Sequence, residues 1–272
     1  MTYPFSRIML ATEFTEFDAG AERIAFAMAQ RCGISLRVVV PILSNAELEA
    51  NAPDLALRVE REAAQRIEAL RQRAESAGVQ LDIHVRRGTS SHEEIVAEAK
   101  EAQVDLIVIR RRGKPGFLAK LLVGEMVSKV IRDTSCSVLL VPRMAEFWRS
   151  GILAAVGDTP AANSVAKVAG SIAGICGLPL TILSVATDTS ALSKTQALNT
   201  LALELAGATS DQARGRVVTG DPVEQTIAMV EATAADLVVI GRQRYHLFSF
   251  GKTGIMQNIA GAMNVPTLVV PA

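Results

Sequence analysis

The chain has 272 residues, 49% hydrophobic and 4% aromatic, and its 28 basic residues balance its 28 acidic ones. A neutral balance gives no electrostatic reason to expect nucleic acid or an anionic membrane as partner. The longest apolar runs, such as Leu106–Ile109 and Leu268–Val270, are strand-length and far below the roughly 20 residues of a bilayer-spanning helix.

Short β-rich runs alternate with helical periods along the chain, the pattern of βαβ units. The first strands are predicted at Arg7–Thr12, Leu36–Val40, Leu81–Val85, Leu106–Ile109 and Val138–Val141. Helices between them are predicted at about Ala19–Cys32, Asp54–Ala77, Ser91–Ala102 and Glu125–Arg132. Gly33 and Gly78 stand where a left-handed residue ends a helix, and Ser90 or Ser91 can cap the third one. Further strands follow near Ile152–Val156, Leu180–Val185, Arg216–Val218, Leu237–Ile240 and Thr267–Val270, with helices near Ala161–Cys176, Ser193–Leu205, Val223–Thr233 and Gly254–Ala262.

The second series repeats the first. Ile8 and Ile152, like Cys32 and Cys176, stand 144 residues apart. After the second strand the spacing drops: Gly88 to Gly220 is 132, Asp105 to Asp236 is 131, and Pro142 to Pro271 is 129. One shortening, near the second helix of the second copy, accounts for the change. The expected fold is α/β: two tandem doubly wound domains, each a five-stranded parallel open sheet flanked by helices, at 1–145 and 150–272. The final strands are edges in this order, so the copies are expected to pair through them within the chain, and a second chain could add to form a homodimer. Phe147 and Trp148 in the short linker Arg143–Ser150 suggest that it packs down. Residues 146–272 have only 8 of the 28 Lys and Arg and 9 of the 28 Asp and Glu, so more of the second copy's surface should be covered.

MTYPFSRIML at the start has no positive segment followed by a long apolar stretch, so no signal peptide is expected. The cysteines at 32, 136 and 176 form no CxxC pair, and a cytoplasmic location with structural thiols follows. His84, His92 and His246 have no metal-ligand spacing, and no nucleophile–base constellation assembles.

In such sheets ligands bind beyond the carboxyl ends of the strands. There stand Ala11-Thr12-Glu13 and Val156-Gly157-Asp158, with the loops after the fourth strands. The loop IRRRGKPGFLAKLLVGEMVSKV from Ile109, the strand–acid–Thr opening, the DLIVI strand and the Cys-Ser-Val-Leu-Leu-Val-Pro ending together resemble the universal stress protein family, over nearly the whole chain twice. The resemblance implies an adenine nucleotide alpha hydrolase-like, Rossmann-like fold. It also implies, for nucleotide-binding members, the pattern G-x-x-G, nine residues, then Gly followed by Ser or Thr, with an Asp ending the first strand. Glycines let the backbone approach phosphate, and the next helix N-terminus offers free amides.

Both copies depart from that pattern. In the first, Arg110 replaces the leading Gly and Gly113 is kept, with Gly116 in the same loop. Ten residues precede Gly124, Glu125 fills the hydroxyl position, and Glu13 replaces the Asp. Arg110 is expected to pair with Glu13 or Glu125 and close the crevice. In the second, Gly241 is kept and Arg244 replaces the second Gly; Gly254, or Thr253 in the other register, follows, then Ile255. The acid is lost to Gly157 unless Asp158 serves. Val40 and Val185, in the second strands, complete the two sets. Arg242, Arg244 and Lys252 could bind an anion or form a solvated basic loop; Arg110–Arg112 with Lys114 lacks the aromatics of a nucleic-acid site.

The resemblance implies a non-catalytic stress-response or regulatory protein with degenerate nucleotide motifs, an unidentified protein partner and no required cofactor. The alternatives are an ATP or AMP sensor or slow nucleotidase keeping one site, in the second copy, and a module for another small anionic or apolar ligand.

Overall fold

Runs of Val, Ile and Leu buried on both faces form the inner strands, as parallel sheets covered by helices require. The computed structural model describes residues 3–44, 51, 53–111, 124–242 and 255–272. Its first half carries β1 (Ile8–Ala11), α1 (Ala19–Cys32), β2 (Leu36–Leu43), α2 (Pro53–Ser76), β3 (Leu81–Gly88), α3 (Ser91–Glu101), β4 (Leu106–Arg110), α4 (Glu125–Asp133) and β5 (Ser137–Val141). The second half repeats the order with β6 (Ile152–Ala155), α5 (Ala162–Cys176), β7 (Leu180–Ala186), α6 (Leu192–Gly207), β8 (Ala213–Thr219), α7 (Pro222–Thr233), β9 (Leu237–Gly241), α8 (Ile255–Ala262) and β10 (Thr267–Val270). The shortening falls in the second helix: α2 has 24 residues and α6 has 16. Gly33 and Gly177 end the two first helices with φ of 62° and 64°, which costs a glycine little.

The two sheets do not remain separate. Strands run in the order β3-β2-β1-β4-β5-β10-β9-β6-β7-β8 as one ten-stranded sheet, with every neighbouring pair parallel except β5 and β10. That junction sets Leu139 opposite Leu268 and Val138 opposite Val269. It buries the edges that each half would otherwise expose. One continuous core lies under α1, α2, α5 and α6, and another under α3, α4, α7 and α8.

The linker aromatics are inside. Phe147 and Trp148 are buried and stacked at 4.1 Å between ring centroids, and the Arg31 guanidinium lies 4.1 Å above Phe147. Each half is also tied by an equivalent carboxylate. Asp105 accepts from the backbone N–H of Ser6 (2.8 Å) and Arg7 (3.0 Å), and Asp236 from those of Arg149 (2.6 Å), Ser150 (2.9 Å) and Gly151 (3.1 Å). No helix among the described residues is long and apolar enough to cross a membrane.

Candidate functional site

Each half opens a crevice where its first and fourth strands end, and the two have opposite contents. In the first half β4 ends at Arg110, whose side chain is 2% exposed. Its Nη1 donates to Thr15 Oγ1 at 2.9 Å and to Asp18 Oδ2 at 3.0 Å, and its Nη2 donates to Glu13. Asp18, 1% exposed, also accepts from the backbone N–H of Thr15 at 2.6 Å. Burial pushes the Asp18 carboxyl up, against the pull of Arg110. The chain reaches this arrangement through Phe14, a non-glycine residue at φ 56°, followed by a tight turn over Glu16–Asp18.

The lock fills the crevice. Ala11, Thr12, Glu13, Asp18, Ile95, Ile109, Arg110 and Met126 leave no room for a water-sized body between them. Of the two partners expected for Arg110, Glu13 is the one engaged. Glu125 instead pairs with Lys129 at 2.9 Å, its side chain 84% exposed in the first turn of α4, and Gly124 caps that helix. Val40 is buried in the core of β2. Gly113 and Gly116 lie outside the described residues, as do Arg112 and Lys114.

The second crevice holds the opposite solution. By the repeat offsets, Glu13, Asp18 and Arg110 correspond to Gly157, Ala162 and Gly241. All three members of the lock are replaced by residues without charge or bulk. A cavity of about 240 Å³ stands in their place, walled by Val156, Gly157, Asp158, Val185, Thr226, Ile240, Gly241 and Ile259 among others. A Cβ on Gly241 would lie 2.8 Å from the Cβ of Ala161, so the start of α5 packs where a side chain would project.

Two of the charges expected around this cavity, Asp158 and Arg242, are engaged elsewhere. Asp158 is paired with Lys194. Arg242, read from the sequence as a candidate anion ligand, directs its Nη1 to the carbonyl oxygens of Ile131, at 3.1 Å, and Thr134. These belong to the end of α4, in the other half. Arg244, Lys252, Thr253 and Gly254 lie outside the described residues. Among those described, no cluster of three or more His, Cys, Asp or Glu could hold a metal. Sequence reasoning missed Thr15 and Asp18. Their only signal was a helix-capping position, because the partner of Asp18 lies 92 residues away.

The family model of the universal stress protein family matches residues 4–142 and again 150–271. The chain belongs to the universal stress protein family. A universal stress protein of Methanocaldococcus jannaschii is 32% identical over 77 residues, 28% of this chain and 44% of that protein. One from Bacillus subtilis is 35% identical over 83 residues, 30% of this chain and 55% of that protein. These matches therefore span about half the length of the curated relatives. The crystal structure of a universal stress protein from Archaeoglobus fulgidus superposes on 97% of this chain and 98% of its own, with a TM-score of 0.78 at 16% identity. That likeness establishes a shared fold across both halves. Within the universal stress protein framework, the chain combines two repeats whose crevices have gone separate ways.

Proposed function

We propose that this chain is a non-catalytic, cytoplasmic stress-response regulator that binds an adenine nucleotide or nucleoside in its second half alone. In this reading residues 1–145 form a pairing module and residues 150–272 the ligand-binding one. The observation that carries it is the joint exchange of Glu13, Asp18 and Arg110 for Gly157, Ala162 and Gly241. The first crevice does not fit the group: two carboxylates and a buried guanidinium occupy the space a base or ribose needs. The second fits its uncharged part, with apolar walls from Val185, Ile240 and Ile259 and a glycine at the end of each of the two strands' paths.

The described residues of that cavity also support a binding role over a catalytic one. Asp158 is held by Lys194, and the Thr226 hydroxyl donates to the carbonyl of Pro222 at 2.6 Å. The Thr226 hydroxyl is therefore engaged by a carbonyl and is not set against a base among the described residues. The test is calorimetric titration with AMP, and with ATP and Mg²⁺, alongside phosphate release. One site per chain is expected, lost in Gly241→Arg and kept in Arg110→Gly, with no turnover. At 100 times its dissociation constant such a ligand raises stability by about 2.7 kcal/mol. Two sites per chain, binding indifferent to Gly241→Arg, or steady phosphate release would each overturn the reading.

A further inference from the structure

The halves differ in a second place, between their first and second helices. In the second half α5 and α6 meet closely because glycines permit it. A Cβ on Gly170 would stand 2.6 Å from the carbonyl oxygen of Ala206, and one on Gly174 would stand 1.8 Å from that of Thr209. The equivalent positions in α1 are Phe26 and Gln30. With side chains there, α1 and α2 stand apart, and a groove of about 600 Å³ opens between them. That volume is ample for a small molecule.

The groove has apolar walls and one unmatched charge. Phe14, Ala19 and Phe26 line one side and Ala69 of α2 the other. Among the charged groups at its rim, Glu16 is paired with Arg143 at 3.0 Å, Arg23 with Glu146 at 3.0 Å, and Glu22 with Arg73 at 2.9 Å. Arg66 lines the same groove, exposed, and makes no hydrogen bond or ion pair with any described residue. A guanidinium left without a partner beside aromatic and methyl surface suits an oxyanion carried on an apolar body, a carboxylate being the simplest with a single charge.

We propose that the α1/α2 groove is a binding site for a small organic monoanion, its carboxylate received by Arg66 and its apolar body laid against Phe14 and Phe26. Arg66 is the one charge of the lining without a partner among the described residues, which matches a ligand with a single negative charge. The segment Phe14–Asp18 then has two roles. Its Asp18 and Thr15 hydroxyl close the inherited crevice on one side, and Phe14 helps build the groove on the other. This site stands independently of any ligand in the second crevice.

Indole-3-acetate and its neutral amide, titrated into the intact chain by calorimetry and ligand-observed NMR, test the proposal. The acid is expected to bind at least tenfold more tightly than the amide. Arg66→Glu should weaken the acid at least tenfold and Arg66→Lys less than threefold. Ala69 is exposed, so Ala69→Trp should fill the groove and abolish binding while the chain stays folded. Arg71→Glu, elsewhere on α2, should leave binding unchanged. Absence of saturable binding at millimolar acid, equal binding of acid and amide, or an indifferent Arg66→Glu overturns the proposal. Displacement of the acid by AMP does so too, since it would place the anion in the crevice.

Discussion

Arg111 and Arg242 are equivalent residues of the two repeats, and each carries its guanidinium across the seam into the other half. Arg111 Nη1 donates to the carbonyl oxygens of Gly261 (2.7 Å), Ala260 (3.2 Å) and Met263 at the end of α8. Arg242 does the same for Ile131 and Thr134 at the end of α4. The last carbonyls of a helix have no partner within it and carry the negative end of its dipole, so a cation there is doubly suited. Burial pushes the Arg111 guanidinium down from its ordinary value, yet an arginine stays charged throughout the physiological range.

Removing either clasp should cost about 2 kcal/mol, the scale of hydrogen bonds to a charged donor. Urea denaturation of Arg111→Ala and Arg242→Ala should show similar losses, and lysine should restore less than half, since it cannot match the planar fork. The two variants should part company in ligand binding. Ile259 of α8 walls the second crevice, so Arg111→Ala should weaken a ligand there severalfold while Arg242→Ala should not. Equal effects on affinity would show that the clasps hold the seam and nothing more.

The lock of Arg110, Glu13 and Asp18 should behave as a unit. Asp18→Ala leaves a buried guanidinium short of partners, and breaking such a pair costs about 3–5 kcal/mol. Arg110→Gly strands the buried Asp18 carboxylate and should cost a similar amount. The triple variant Glu13→Gly, Asp18→Ala, Arg110→Gly installs the set found in the second half and removes every stranded charge. It should be more stable than either single variant by denaturant unfolding. If the three losses simply add, the residues do not form one unit.

The alternation of strand and helix was legible because burial repeats with the period of each element. The predicted α1, Ala19–Cys32, and final strand, Thr267–Val270, coincide with the observed ones. The sequence pattern predicts only Arg216–Val218 of β8, because this is an outer strand whose exposed Arg214 and Arg216 dilute the apolar signal. The outcome at the crevices was only half legible. A lost glycine at 110 is visible in sequence, and so is a nearby acid as partner. Asp18 is not, because its role depends on a turn that brings it back under the sheet end. Arg242 shows the general difficulty: a sequence displays a charge but not its direction. Two of its partners are backbone carbonyls 108 and 111 residues away, which no side-chain pattern marks.

The carboxylates Asp105 and Asp236 each bind the backbone amides that lead into the first strand of their half. An amide side chain at either place would keep one acceptor oxygen and lose the charge. Asp105→Asn and Asp236→Asn should therefore each lose about 1–2 kcal/mol. Hydrogen exchange should show the first amides of β1 or β6 opening faster, each in its own half. Protection lost equally in both halves by either variant would contradict a local tie.

Glu22 offers a pH signature for the strut between α1 and α2. Its carboxylate meets Arg73 at 2.9 Å. Burial nevertheless pushes its pKa up, with Arg73 offsetting part of the shift and Asp18 adding to it. A carboxyl that holds its proton more tightly when folded favours the folded state below its unfolded value, about 4.3. That contribution is lost as pH rises through the higher folded value. Glu22→Gln does not titrate, so its stability relative to the native chain should rise from about pH 4 upward and level off once Glu22 is ionised in both states. Urea denaturation of the two proteins between pH 4 and 8 measures this difference. A flat difference would mean that Arg73 just offsets burial, and one that falls as pH rises would mean that Arg73 outweighs it and that the pair is a net stabilising strut at neutral pH.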